Sequence, residues 1–170
     1  PQPGSTGTVN VNGGTLTVNG WVELGRSGTG TVNVTGAGSL LNSAGGKDFQ
    51  VGMDSGGVGN LNITAGGVMN HNWWVNIARG AGSTGNVNVD GVGSQLNTSA
   101  GRIVVGEDGV GNLTVSNGGL VNHNSGERFM VGKNTGATGT ATITGAGSHF
   151  QKTGGEVFIG GDDDGNDLGT

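Results

Sequence analysis

Gly30-Thr-Val-Asn-Val34 and its five counterparts decide the fold. The same cadence stands at Gly7-Thr-Val-Asn-Val11, Gly59-Asn-Leu-Asn-Ile63 and Gly85-Asn-Val-Asn-Val89. It returns at Gly111-Asn-Leu-Thr-Val115 and Gly139-Thr-Ala-Thr-Ile143. In each, the second and fourth residues after the glycine are apolar, and the first and third are Thr or Asn. A period of two marks a strand that buries one face. The leading glycines follow one another at 23, 29, 26, 26 and 28 residues, so one strand recurs six times.

Working outward, each unit holds two further apolar pairs. One pair lies late in the unit: Val22/Leu24, Phe49/Val51, Val75/Ile77, Ile103/Val105, Phe129/Val131 and Val157/Ile159. Five of these end on a glycine, and the third runs into Ala78-Arg79 instead. The other pair is weaker and alternates in kind. Units two, four and six carry Gly-x-Gly-Ser followed by Ser39/Leu41, Ser94/Leu96 and Ser148/Phe150 in phase. Units one, three and five carry Gly-Gly followed by Leu16/Val18, Met69/His71 and Val121/His123. The sequence therefore repeats as pairs of units.

Three short strands per unit, each with one thin buried face, cannot form a core alone and must stack on their neighbours. The expected fold is all-β, a right-handed parallel β-helix with three strands per coil. Its coils span approximately residues 5–28, 29–56, 57–82, 83–109, 110–136 and 137–165 of one single segment. At ~4.8 Å per coil the rod would be roughly 30 Å long.

Composition fits this reading. Of 170 residues, 41 are Gly and only 38 are Val, Leu, Ile or Phe, which would suggest low-complexity disorder if no period existed. With no Cys there is no disulfide framework, thiolate nucleophile or Cys-based zinc site. A net charge of -5 with scattered cations argues against nucleic acid, which calls for clustered Lys and Arg. No apolar run approaches the ~20 residues of a membrane-spanning helix, so no membrane insertion is expected. The abrupt start at Pro1 and stop at Thr170 read as a fragment of a longer chain or a fibre subunit.

The run Gly109-Val-Gly-Asn-Leu-Thr-Val-Ser-Asn-Gly-Gly-Leu-Val-Asn-His-Asn124 alternates with Thr-Gly-Ala-Gly-Ser at 35–39 and 144–148. From about residue 5 to residue 165 this cadence resembles the repeats of bacterial autotransporter passenger domains and related large secreted or surface-attached proteins. The resemblance implies a β-helix, an extracellular or bacterial cell-surface location and a much longer parent polypeptide. It implies no particular activity, since such repeats build stalks, adhesins and scaffolds alike.

Function must then come from side chains that point away from the core. On the first strand, Thr31, Asn33, Asn60, Asn62, Asn86, Asn88, Asn112, Thr114, Thr140 and Thr142 form a nearly uncharged hydroxyl and amide array. One reading is structural, with strand-forming Thr and Asn stacked in ladders. The other is a flat surface matched to ice or a crystalline polysaccharide, a lattice that the mixture of residues interrupts. On the third strand the outward columns bring Trp74, Arg102, Val104, Arg128, Met130 and Phe158 together. That apolar, arginine-bearing patch reads as a protein contact or a sugar platform, or as a surface covered by a neighbouring loop. Arg102 is placed to stack on Trp74.

His71 and His123 occupy one register two coils apart, ~9.6 Å, too far to share a metal ion. They read as hydrogen-bonded residues, inward or at a corner, with His149 outward and alone. The acidic run with Asp162, Asp164 and Asp167 is oxygen-rich enough for calcium but lacks a distal Glu, and otherwise reads as a solvated loop. Catalytic β-helices gather several carboxylates in a loop-walled groove; here the outward carboxylates are isolated.

The expectation is a non-enzymatic structural or adhesive module that needs no cofactor, calcium apart. Its partners would be further coils or copies at its ends, with host or matrix carbohydrate or protein along its sides. The alternatives are a carbohydrate-binding or carbohydrate-active β-helix and an ice- or crystal-binding one.

Overall fold

The structure, a computed structural model, describes residues 4–161. Among these residues there are eighteen strands and no helix. The first coil comprises β1 (Thr6–Asn12), β2 (Thr15–Val18) and β3 (Val22–Leu24). Then come β4 (Thr29–Thr35), β5 (Leu40–Ser43) and β6 (Phe49–Val51), followed by β7 (Val58–Thr64), β8 (Val68–His71) and β9 (Val75–Ile77). The fourth coil holds β10 (Thr84–Asp90), β11 (Gln95–Thr98) and β12 (Ile103–Val105), and the fifth β13 (Val110–Ser116), β14 (Leu120–His123) and β15 (Phe129–Val131). The sixth has β16 (Thr138–Thr144), β17 (His149–Lys152) and β18 (Val157–Ile159).

Every strand pairs in parallel with the strand three places before or after it, which makes three six-stranded sheets. Sheet A runs β1-β4-β7-β10-β13-β16, sheet B holds the second strand of each coil and sheet C the third. The chain is a parallel β-solenoid of about six coils. Because the repeats stack without slippage, Val32 lies over Leu61, Val87 and Leu113 in one interior row. These side chains belong to one hydrophobic cluster along the axis.

Two local devices shape the corners of the coils. Where sheet C hands over to the next strand of sheet A, two glycines cross backbone to backbone. A Cβ on Gly111 would sit 2.2 Å from the Gly106 nitrogen. Gly106 itself has φ +74, and a Cβ there would meet the Thr138 carbonyl oxygen at 2.4 Å. In coil three the equivalent position is Ala78, which is buried at φ 59.

The second device explains the alternation of coils. The hydroxyls of Ser39, Ser94 and Ser148 donate to the carbonyls of Thr35, Asp90 and Thr144. The same oxygens accept from the backbone N–H groups of Gly13, Gly66 and Gly118 in the coil before. Odd coils supply the corner donor and even coils the acceptor.

These contacts set unequal tolerances. Gly106→Ala is expected to cost about 3 kcal/mol or more, from left-handed backbone strain plus overpacking. Gly14→Ala, with nothing within 4 Å of the new methyl and no positive φ, should stay within about 0.5 kcal/mol. Urea unfolding of the two variants beside the parent chain measures the contrast.

Candidate functional site

On the outer side of sheet A most amides of the array, with the Thr31 hydroxyl, bond one another. Asn33 Nδ2 donates to Asn10 Oδ1 at 2.8 Å, and Asn62 Nδ2 to Asn33 Oδ1 at 2.8 Å. A second file runs from Asn112 to Asn86 and from Asn86 to Asn60, both at 3.0 Å, and on to Thr31 Oγ1 at 3.4 Å. Asn88, Thr114 and Thr142 share one register, and Thr140 extends the Asn112 column. Sheet B has its own step, Asn97 to Asn70 at 3.0 Å. In each of these steps the later coil donates to the earlier one, so the amides form one-way ladders up the rod. At the edge of the array Asp90 accepts from Ser116 Oγ at 2.6 Å and Asn117 Nδ2 at 2.7 Å. Those two donors hold its carboxyl below the usual range.

Sheet C departs from expectation. Val104 and Met130, expected to be exposed, are fully buried, as are Gln50 and Asn76 in the same column. Val104 and Met130 also stand outside the core cluster, in keeping with their outward parity. Long side chains from the two flanking columns cover the column. Arg79 Nη1 reaches Gln50 Oε1 at 3.5 Å. Arg102 and Lys133 converge on Glu107 Oε1 at 3.4 and 3.1 Å. Arg128 pairs with Glu156 at 3.2 Å and lies 5.5 Å over the Phe158 ring. The guanidinium of Arg102 sits 4.0 Å from the Trp74 ring centroid, the stacking the sequence suggested. In place of an open apolar patch, sheet C presents buried apolar and amide side chains flanked by ion pairs.

The interior holds a polar file that sequence reading saw only in part. Ser43, His71, Thr98 and His123 are buried and share one register at the end of sheet B, which the half-buried Lys152 continues in the last coil. His71 Nδ1 lies 2.8 Å from the Ser43 carbonyl and Nε2 3.1 Å from the Trp74 carbonyl. A neutral ring can donate to only one of them, and burial still holds the His71 pKa below its usual value. His123 Nδ1 bonds Thr98 Oγ1 at 2.7 Å. Burial first, and the Lys152 ammonium second, lower its pKa to about 4. Lys152 itself donates to the carbonyls of Ser125, Glu127 and Gly154. The alternation that turns Phe150 inward gives Lys152 the same parity, which was the available signal, and its half-buried chain carries the ammonium to the corner carbonyls. His149 is exposed.

Among the described residues no group of three or more His, Asp or Glu could hold a metal ion. The calcium candidates Asp162, Asp164 and Asp167 lie outside the described residues.

Two grooves mark the outer surface near sheet C. One of about 430 Å³ is lined by Trp21, Glu23, Met53 and Arg79. The other, about 340 Å³, lies where sheet B turns into sheet C across coils three to five, between Trp73 and Trp74 on one side and Asn124 to Glu127 on the other. Trp73 was missed in the sequence because corner residues have no parity to read. Comparison of the chain with protein-family models, curated proteins and solved structures yields no match.

His123 gives a pH prediction. Its pKa is about 4 in the fold against 6.5 in the unfolded chain, so the unfolded state takes up the proton first. The stability of the neutral buried ring is fully present above pH 6.5 and is lost as pH falls toward 4. The loss is on the order of 3 kcal/mol. Urea titrations at pH 7 and pH 4 should show the parent chain losing that much more stability than His123→Asn.

Proposed function

We propose that the chain is a non-enzymatic rod segment of an extracellular or bacterial surface protein, lengthened at its ends by further coils or further copies. The observation that carries this reading is the contrast between interior and end positions in several of the inward columns. Val9 is 45 % exposed at one end, Val157 is 53 % and Ile159 78 % exposed at the other. Their column mates in the coils between are buried, Val32 and Leu61 in the first case, Val75 and Ile77 in the second. The first and last strands of all three sheets also carry one unpaired edge. Apolar rows that end in solvent beside open backbone edges are the surfaces that one more coil covers.

The outer faces support a structural or adhesive role. The amide ladders and the ion-pair cover on sheet C direct most of their polar groups at one another. For the amides this favours the ladder reading of the Thr/Asn array, and the ladders do not extend to the hydroxyls of Thr114, Thr140 and Thr142. Display outside the cell agrees with the resemblance to passenger repeats. A chain without cysteine also draws its stability from stacking, independent of the redox state around it.

In sedimentation velocity the chain should associate as its concentration rises. Val9→Lys and Ile159→Lys, each placing a charge on one end, should weaken that association by about tenfold or more. A monodisperse monomer at all concentrations would remove self-association and leave only continuation of the same chain. Release of reducing ends from a polysaccharide panel would overturn the non-enzymatic reading.

A further inference from the structure

We propose that the corner groove across coils three to five binds a neutral pyranose unit of a glycan chain. The inference begins at Trp73. Its register across the coils reads Gly20, Lys47, Trp73, Gly101, Glu127 and Gly155, so one large indole stands at a corner otherwise held mainly by glycine. That indole is 41 % exposed and so contributes little to the core. It lies parallel to Trp74, with an interplanar angle of 4° and ring centroids 6.0 Å apart.

The groove beside the two rings is built. Its floor in coil four is Gly101, where a Cβ would fall 2.5 Å from both the Trp73 carbonyl carbon and Trp74 Cδ1. Any larger residue would push the aromatic wall away. That wall is anchored through Asn72, which donates to the Ala44 carbonyl at 2.6 Å and accepts from the Gly46 N–H at 2.9 Å. The opposite wall carries Asn124 and Glu127, with Ser99 from coil four between the walls. The Glu127 corner is tied down by its own N–H, which donates to Ser125 Oγ at 3.0 Å, and by Lys152 on its carbonyl. At about 340 Å³ the groove falls at the small end of the ~300–1,000 Å³ of small-ligand clefts.

The chemistry of the walls selects the ligand. A pyranose offers an apolar C–H face to an indole and a rim of hydroxyls to amide, hydroxyl and carboxylate groups. Trp73 and the Ser99/Asn124/Glu127 side answer those two faces. An organic cation would also suit an indole beside a carboxylate. Here, however, the Arg102 guanidinium already lies 4.0 Å from the Trp74 ring, and a second cation beside it meets like charge. A neutral ring meets no such opposition.

The test is titration of the isotope-labelled chain with cellohexaose, chitohexaose, xylohexaose and mannohexaose, and separately with tetramethylammonium. The indole N–H signals are followed by NMR. At least one hexasaccharide should shift the Trp73 signal saturably. Trp73→Ala and Trp73→Leu should each weaken binding by about tenfold or more, and Asn124→Ala by several-fold. Trp21→Ala, in the other groove, should leave affinity unchanged. Far-UV circular dichroism should match the parent for every variant, and Asn124→Ala, an exposed truncation, carries the test if a Trp73 variant fails to fold. Three results would overturn the proposal: no saturable shift with any of the four sugars, a shift with tetramethylammonium in their place, or loss of sugar binding in Trp21→Ala but not in the Trp73 variants. None of these depends on whether the rod ends associate.

Discussion

The solenoid depends on a backbone-to-backbone contact in which the crossing residues carry at most the single methyl of Ala78. At the end of each coil the last residues of sheet C lie directly on the first residues of the next strand of sheet A, and at Gly106 and Gly111 there is no room for a Cβ. This crossing brings the two sheets together at a thin edge, so the space between them accepts a single file of side chains from each inward position. The core is therefore a set of rows: Val32, Leu61, Val87 and Leu113 in one, Phe49, Val75, Ile103 and Phe129 in another. A chain with few large apolar residues fills such a core because each row needs only one per coil.

The same economy explains why the sequence repeats in pairs of coils. A corner N–H that turns inward must find an acceptor. At the turn from sheet A to sheet B of the odd coils that acceptor is a serine hydroxyl one coil later, as Ser94 is for Gly66, whereas Gly36 and Gly91 of the even coils donate to the Thr64 and Ser116 carbonyls. The serine's own proton goes to the Asp90 carbonyl of its coil, so neither group is left buried and unpaired. A coil built to donate must be followed by one built to accept, and the Gly-Gly and Gly-x-Gly-Ser units alternate for that reason.

Fold and direction were legible in the sequence because strand parity is a strong, local rule. Val104 and Met130 do point away from the core, as alternation requires, yet both are buried. Exposure depends on the reach of neighbours, here Arg102, Glu107 and Lys133 from columns on either side, and parity carries no information about reach. The corner groove was illegible for a related reason. Trp73 and Trp74 are consecutive, and on a strand they would face opposite ways; at the bend they lie parallel. The signal lay in comparing coils, since every other coil places Gly, Lys or Glu in the Trp73 register.

Near-identical repeats create a hazard of their own, and the buried polar file answers it. A slip of two residues between neighbouring strands of sheet B keeps every apolar side chain facing inward, so hydrophobicity alone barely resists it. In the observed register His123 meets Thr98 and Val121 meets Leu96. Slipped by two, His123 would meet Leu96 and surrender its bond to Thr98 Oγ1 inside an apolar interior. Leaving such a group unsatisfied costs about 1–3 kcal/mol. His71, held between the carbonyls of Ser43 and Trp74, resists slippage in the same way two coils earlier. Burying imidazoles lowers the stability of the rod in acid, and in return it gives otherwise interchangeable coils a single way to stack.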